Sequence, residues 1–292
     1  MDLRQLGYFV CVVEAGSFSR AAVALNLAQP TLSRQIALLE ADLGQRLFVR
    51  TGRGTEPTEA GAVLLLHART MLNAADDARQ ALQDMAASPG GRVVVGLPPR
   101  VAHGMGSRLV ELFRERFPRA VISVSEGLSL QLREWLLAGR LDLALLFDPP
   151  PSPQLDCRLL LQERLMLVGP PGQKLPKNVK LADLPDYPMV LPNATRPVVE
   201  AVLRPRRIEL HILAEVGAVQ TAIAMVGKGL GYAILPENAL SANEQGDKLT
   251  RAGIGPPAIH NNLVLAVPLA RPATRLTRAT AELLTSLDFR EK

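Results

Sequence analysis

Residues 17–40 read SFSRAAVALNLAQPTLSRQIALLE and carry two helical periods separated by a very short break. Phe18, Ala21, Ala22 and Leu25 recur at the i, i+3, i+4, i+7 spacing of one buried helix face. Leu32, Ile36, Leu39 and Leu43 form a second amphipathic stripe. Ser17 is placed to cap the first helix, its hydroxyl accepting from a free first-turn amide. Pro30 suits the opening turn of the second, where its missing N–H has no partner to lose. Two short helices joined this tightly predict a helix-turn-helix, whose second helix can lie in the DNA major groove. Its outward positions near the N-terminal end are Gln29, Thr31, Ser33, Arg34 and Gln35, all able to hydrogen-bond base edges or phosphates.

The next residues narrow the reading. Leu47–Thr55 predicts a strand, a glycine turn and a return strand. Between Leu43 and Thr55 stand Arg46, Arg50 and Arg53 with no acidic residue. An arginine-tipped hairpin beside a recognition helix is a wing suited to phosphate or minor-groove contact. The candidate DNA-binding set is Ser17, Gln29, Pro30, Thr31, Ser33, Arg34, Gln35, Arg50 and Arg53.

The run GSFSRAAVALNLAQPTLSRQIALLEADLGQRLFVRTGRGTEPTEAG, followed by a long helix, resembles the N-terminal domain of LysR-type transcriptional regulators. The resemblance extends over the whole chain. It implies an α/β protein with a winged helix-turn-helix, a linker helix and a two-lobed, periplasmic-binding-protein-like effector domain. It further implies a double-stranded DNA operator, a small-molecule effector, self-association as a dimer of dimers, contact with RNA polymerase, and activation or repression of target genes.

Composition adds modest limits. At 292 residues and 48% hydrophobic the chain can bury more than one sizeable core. The net charge of +5 is a weak pointer to nucleic acid. Residues 1–58 hold six arginines (Arg4, Arg20, Arg34, Arg46, Arg50, Arg53) against five acids (Asp2, Glu14, Glu40, Asp42, Glu56), so basicity there is local. Cys11 and Cys157 fall in different predicted domains and are expected to be buried, reduced thiols. The opening MDLRQLGYFV is amphipathic and charged, unlike a signal peptide, and no apolar run approaches membrane-spanning length. A cytoplasmic location and no membrane partner are expected.

Four parts are expected along the chain. Residues 1–58 form the winged unit and 59–88 the linker helix, which the periodicity extends from about 57 to 87. Leu64, Ala68, Met71, Ala75, Ala78, Leu82 and Met85 alternate steps of four and three, a heptad seam that predicts helix pairing between two chains. The alternative is a helix burying its seam on its own domain. Ser88-Pro89-Gly90-Gly91 reads as a hinge. Strands at 92–97, 121–125 and 141–147, with helices at 105–117 and 129–138, predict a parallel βαβαβ lobe. The first lobe is placed at 92–158 and 269–292, the second at 159–268, with the Pro149–Pro153 run as the way across.

In open α/β sheets, ligands sit beyond the carboxyl ends of strands. That rule selects Pro99, Arg100, Val101, Gly127, Ser129, Phe147, Asn193, Thr195, Arg196 and Gly217 as effector-contacting residues. The resemblance implies a Ser or Thr in the first of these loops, where this chain carries Pro98-Pro99-Arg100. Arg100, Ser129, Thr195 and Arg196 are expected to hold an anionic effector. Gly227-Lys228-Gly229-Leu230-Gly231 follows a helix and precedes a strand, the reverse of a dinucleotide loop, and predicts a tight turn. The four histidines show no metal-ligand spacing and no serine lies in a nucleophile elbow, so neither a metal, a cofactor nor an enzymatic activity is expected. A solute-binding protein would have no use for residues 1–87.

Overall fold

The computed structural model describes residues 1–51, 54–84, 90–241, 246–270 and 273–289. The N-terminal unit comprises α1 (Leu3–Ala15), α2 (Phe18–Ala24), α3 (Gln29–Leu43) and the hairpin β1 (Phe48–Thr51) and β2 (Gly54–Pro57). The periodic residues do what their spacing demands. Phe9, Val12, Ala21, Leu32, Ile36 and Leu39 are buried in one core, and Phe48 lies 5.3 Å from Phe9 between ring centroids. Glu40 ties the hairpin to α3, because its Oε1 accepts from the amides of Leu47 (2.7 Å) and Phe48 (3.3 Å).

The linker helix α4 spans Glu59–Asp84. Gly61 must be small, since a Cβ there would stand 2.3 Å from the carbonyl oxygen of Leu47. Only part of the expected seam faces away from its own domain. Ala68 is fully buried, and Leu64 and Met71 pack on the N-terminal core with it. Here the alternative reading holds for the first half of the helix, because α1 already covers that stripe. Val63 and Leu66 are instead left exposed on the opposite side, and Ala78 is exposed further along. The side chain of Leu82 and all of Met85, Ser88 and Pro89 lie outside the described residues.

Beyond α4, β3 (Gly91–Leu97), α5 (Pro99–Arg116), β4 (Ala120–Glu126), α6 (Ser129–Leu137) and β5 (Leu143–Phe147) build the expected parallel lobe, with β3 between β4 and β5. Side-chain alternation in β3 sorts the two faces. Val93, Val95 and Leu97 pack with α5 and the C-terminal helix, while Val94 packs with α6. Gly96 lets α6 approach, as a Cβ there would meet Leu141 at 2.6 Å and Leu132 at 3.0 Å.

The boundary between lobes differs from the expected one. β6 runs unbroken through Leu155–Gly169. After β7 (Asn178–Val179), β8 (Met189–Pro192), α7 (Arg196–Leu203), β9 (Ile212–Val216), α8 (Val219–Gly227), β10 (Ala233–Pro236), α9 (Glu237–Ser241) and β11 (Thr250–Ile254), the chain returns as β12 (His260–Pro268) and α10 (Arg275–Ser286). β12 pairs with β5 and with β6 from Leu155 to Arg164, whereas β10 and β11 pair with β6 beyond Arg164. The crossings therefore fall near 164–165 and 259–260, and residues 159–164 and 260–268 belong to the first lobe. The proline run at 149–153 does not cross; it leads from β5 back into the same lobe. Strand β6 passes from one lobe to the other without a break, so alternation alone does not mark the crossing, whereas Gly255-Pro256-Pro257 stands just ahead of the return as β12. The GKGLG segment closes α8 and turns into β10, with Gly229 and Gly231 at positive φ.

Candidate functional site

Two places combine exposed polar groups with a supporting scaffold. The first is the outer face of α3. Pro30 occupies its opening turn, and Gln29, Thr31 and Arg34 are exposed while Ser33 and Gln35 are partly so. Gln29 Nε2 donates to Ser33 Oγ at 3.2 Å, one turn along. Arg34 has no ion-pair or hydrogen-bond partner among the described residues. Ser17 stands at the N-cap of α2 in extended conformation, yet its hydroxyl makes no capping bond, so the expected cap is positional only. The wing forms in the register Thr51↔Gly54, and Thr55 N donates to Gly16 O at 3.1 Å, which docks it on the α1–α2 turn. Arg53 and the side chain of Arg50 lie outside the described residues.

The second place is a cavity of about 410 Å³ between the lobes. Its lining comes from segments that follow the carboxyl ends of β3, β4, β5, β8, β9 and β10, as the topology rule requires. Pro99, Arg100, Ser129, Phe147, Asn193, Thr195 and Gly217 line it. Three expected residues do not. Val101 is buried in the first-lobe core, Gly127 is buried beneath the cavity with its amide bonded to Leu97 O, and Arg196 is turned to Glu200 and Glu215, each at 2.6 Å. Sequence position alone could not tell which side of a one-turn helix start faced the gap.

The lining is dominated by apolar groups: Pro98, from a segment that the loop rule selects, and Leu130, Pro149, Pro150, Val198 and Val219, which that rule does not select. The polar groups chosen from sequence are mostly engaged. Thr195 is buried, its hydroxyl within reach of the carbonyls of Pro192 (3.3 Å) and Ile234 (3.2 Å). Ser129 Oγ accepts from the amide of Phe147 at 2.9 Å. Arg100 is ion-paired with the buried carboxylate of Glu163 and lies over the Phe147 ring, 4.9 Å from its centroid. Asn261 Nδ2 donates to the same carboxylate at 3.0 Å. Burial pushes the Glu163 carboxyl above the usual carboxylate range, and Arg100 opposes that shift without cancelling it. The four-residue anion cluster expected from sequence is thus not assembled: Arg100 is neutralised from below and Arg196 faces elsewhere.

Cys11 is partly buried and Cys157 exposed, against the expectation that both are buried; Cys157 stands on the open edge side of β6, where burial had been inferred only from isolation in sequence. Among the described residues, no group of His, Cys, Asp and Glu could hold a metal ion, and no helix is long and apolar enough to cross a membrane.

Comparison with known proteins accords with both places. Residues 3–62 match the family model for bacterial regulatory helix-turn-helix proteins of the lysR family, and residues 86–288 match the LysR substrate binding domain. The nitrogen assimilation regulatory protein nac of Klebsiella aerogenes is 34% identical over 98% of this chain and 95% of its own length. Among solved structures, full-length CbnR in complex with its target DNA is 27% identical, with a TM-score of 0.67 over 97% of this chain and 98% of that one. Full-length OxyR from Pseudomonas aeruginosa shares the fold with a TM-score of 0.75 at 22% identity, covering 98% of this chain and 93% of that one. The chain belongs to the LysR family: it is a DNA-binding transcriptional regulator that carries a substrate-binding effector domain.

Proposed function

We propose that this regulator reads a double-stranded operator with the exposed face of α3 and the wing, and that a small molecule in the interlobe cavity resets that binding. The observation that carries the reading is a single helix reaching both places. The N-terminus of α6 lines the cavity through Ser129. Just past its other end, Gly139 O accepts from Asn73 Nδ2 of the linker helix at 2.5 Å, and Arg140 lies 3.9 Å from Glu14 of α1. Glu14 also pairs with Arg69 of the linker at 2.9 Å. A ligand that changes the relative pose of the lobes would move α6 and so load the contacts holding the DNA-binding unit. It can shift operator binding only as far as its affinity differs between the two poses.

The protein acts on DNA as a homo-oligomer, two linker helices pairing into a dimer and effector domains joining two dimers into a tetramer. The exposed apolar positions Val63, Leu66 and Ala78 of α4 support such pairing. It acts in the cytoplasm, contacts RNA polymerase as a regulator and catalyses no reaction; the supporting fact for the last is that its relatives bear the names of transcriptional regulators. The effector is a small anion, and no resident cofactor or metal is required. Fluorescence anisotropy with DNA from upstream of its own gene tests the first half. Specific binding is expected at concentrations where a scrambled duplex stays free, and equal affinity for the two would overturn the reading.

A further inference from the structure

Among the described residues the lining of the interlobe cavity holds three charged side chains, Arg100, Arg133 and Asp148, all from the first lobe. The second lobe supplies none, only groups such as Asn193, Val198, Val219 and Gln220. Arg100 is held by Glu163, whose side chain is 1% exposed. Asp148 accepts from both the amide and the side chain of Asn262, at 2.9 and 2.8 Å. Arg133 differs. It sits one turn into α6, has no ion pair or hydrogen bond among the described residues, and its Nε is buried without a partner. Its charge is felt by the thiol of Cys157, whose pKa burial raises, Asp156 raises further and Arg133 lowers. A guanidinium desolvated on one side and left unpaired is costly, and a planar carboxylate is the group that matches its donor fork.

Two further features add to the same field. α6 begins at a Leu128 N-cap and α8 at an Ala218 N-cap, and neither side chain satisfies the free amides of the first turn. Both N-termini border the cavity. Against this stands the Asp148 carboxylate, which disfavours a second negative charge.

We infer that Arg133 is the anion anchor of the cavity, and that the effector is an amphipathic monocarboxylate whose apolar body spans to Val198 and Val219 of the second lobe. The inference rests on the proposed role of the cavity as the effector site and specifies its ligand class. One free cation selects one carboxylate, and the proline-rich walls select a hydrocarbon or aromatic body over a sugar or a polar amino acid. Charge recognition then lies wholly in one lobe and apolar contact in both, so closure is driven by burial of the body rather than by a second ion pair.

The test uses the full chain and defined probes: hexanoate with hexanamide, benzoate with benzamide, and adipate, followed by calorimetry or ligand-observed NMR up to about 20 mM, the range of fragment-sized ligands. The two monocarboxylates should bind about tenfold or more tighter than their amides, and tighter than adipate. Arg133→Gln should erase the acid-over-amide preference, and Arg133→Lys should keep part of it. Gly217→Trp adds bulk where a Cβ meets nothing within 4 Å, and should weaken every probe. Amides binding as well as acids, adipate binding best, no acid binding at all, or a preference that survives Arg133→Gln would each overturn the inference. Should Arg133→Gln fail to fold, Arg133→Lys with an unchanged melting temperature decides instead: a preference undiminished in it counts against the anchor. Probe binding that Gly217→Trp leaves untouched would instead remove the cavity itself as the site.

Discussion

Replacing Arg34 by alanine separates recognition from folding cleanly. Arg34 is exposed on α3 and has no intramolecular partner among the described residues, so its loss should change the stability of the protein by no more than about 0.5 kcal/mol. Its neighbours Leu32 and Ile36 are buried, which fixes the helix rotation and points position 34 outward. If Arg34 reads a base edge, its removal costs about 1–3 kcal/mol, or roughly 5- to 150-fold in operator affinity. The loss would be confined to the cognate sequence, and the salt slope would stay near the wild-type value. If it meets only a phosphate, cognate and scrambled duplexes weaken alike and the slope falls by about 0.9. The assay is anisotropy against an operator selected from random duplexes, at several salt concentrations, with thermal melting as the folding control. An unchanged ratio of cognate to scrambled affinity would refute the base-reading role. A melting temperature lowered by many degrees would refute the claim that this side chain is free.

Other expectations follow from equally local facts. Arg100→Ala leaves Glu163 as an unpaired buried carboxylate and should cost about 3 kcal/mol near neutral pH. Because the folded pKa of Glu163 is raised, that penalty should shrink as pH falls through the raised value, where the group takes up its proton; a loss growing on acidification in thermal melts would contradict the sign. Gly61→Ala drives a Cβ into the Leu47 carbonyl and should lower the melting temperature by several degrees while displacing the wing; an unchanged melt would show the approach to be looser. Glutamate at Val63 and Leu66 together should dissociate the dimer in light scattering, whereas glutamate at Ala78 and Leu82 tests the second half of the helix; an unaltered mass for both double variants would count against pairing through α4.

Much of this architecture was legible in the residues, and the reasons are specific. Phe18 to Leu43 announce α2 and α3 because both helices bury one stripe on a small core, where periodicity and burial coincide. The βαβαβ lobe was legible for the same reason, with β3 reading as a continuous apolar run buried on both faces. The crossings were not, because β6 belongs to both lobes and its side-chain alternation does not change where its partner does. The seam of α4 misled in part, since a stripe meant for α1 and a stripe meant for another chain have the same period. In the cavity, sequence located the right segments through the ends of β3, β4, β5, β8 and β9 but not the states of their side chains. Arg100 looked free because Glu163 is distant in sequence; Arg196 has one distant partner, Glu215, and one four residues along α7, Glu200; Arg133 was not singled out by the loop rule.

If a ligand in the interlobe cavity resets operator binding, the two places are energetically linked, and linkage requires reciprocity. The most direct measurement is the affinity of one monocarboxylate, hexanoate or benzoate, for the free protein and for the protein saturated with operator DNA. The two affinities should differ, and operator affinity measured with and without the saturating acid should differ by the same factor. Identical affinity of the acid for the free and the operator-bound protein would contradict the linkage.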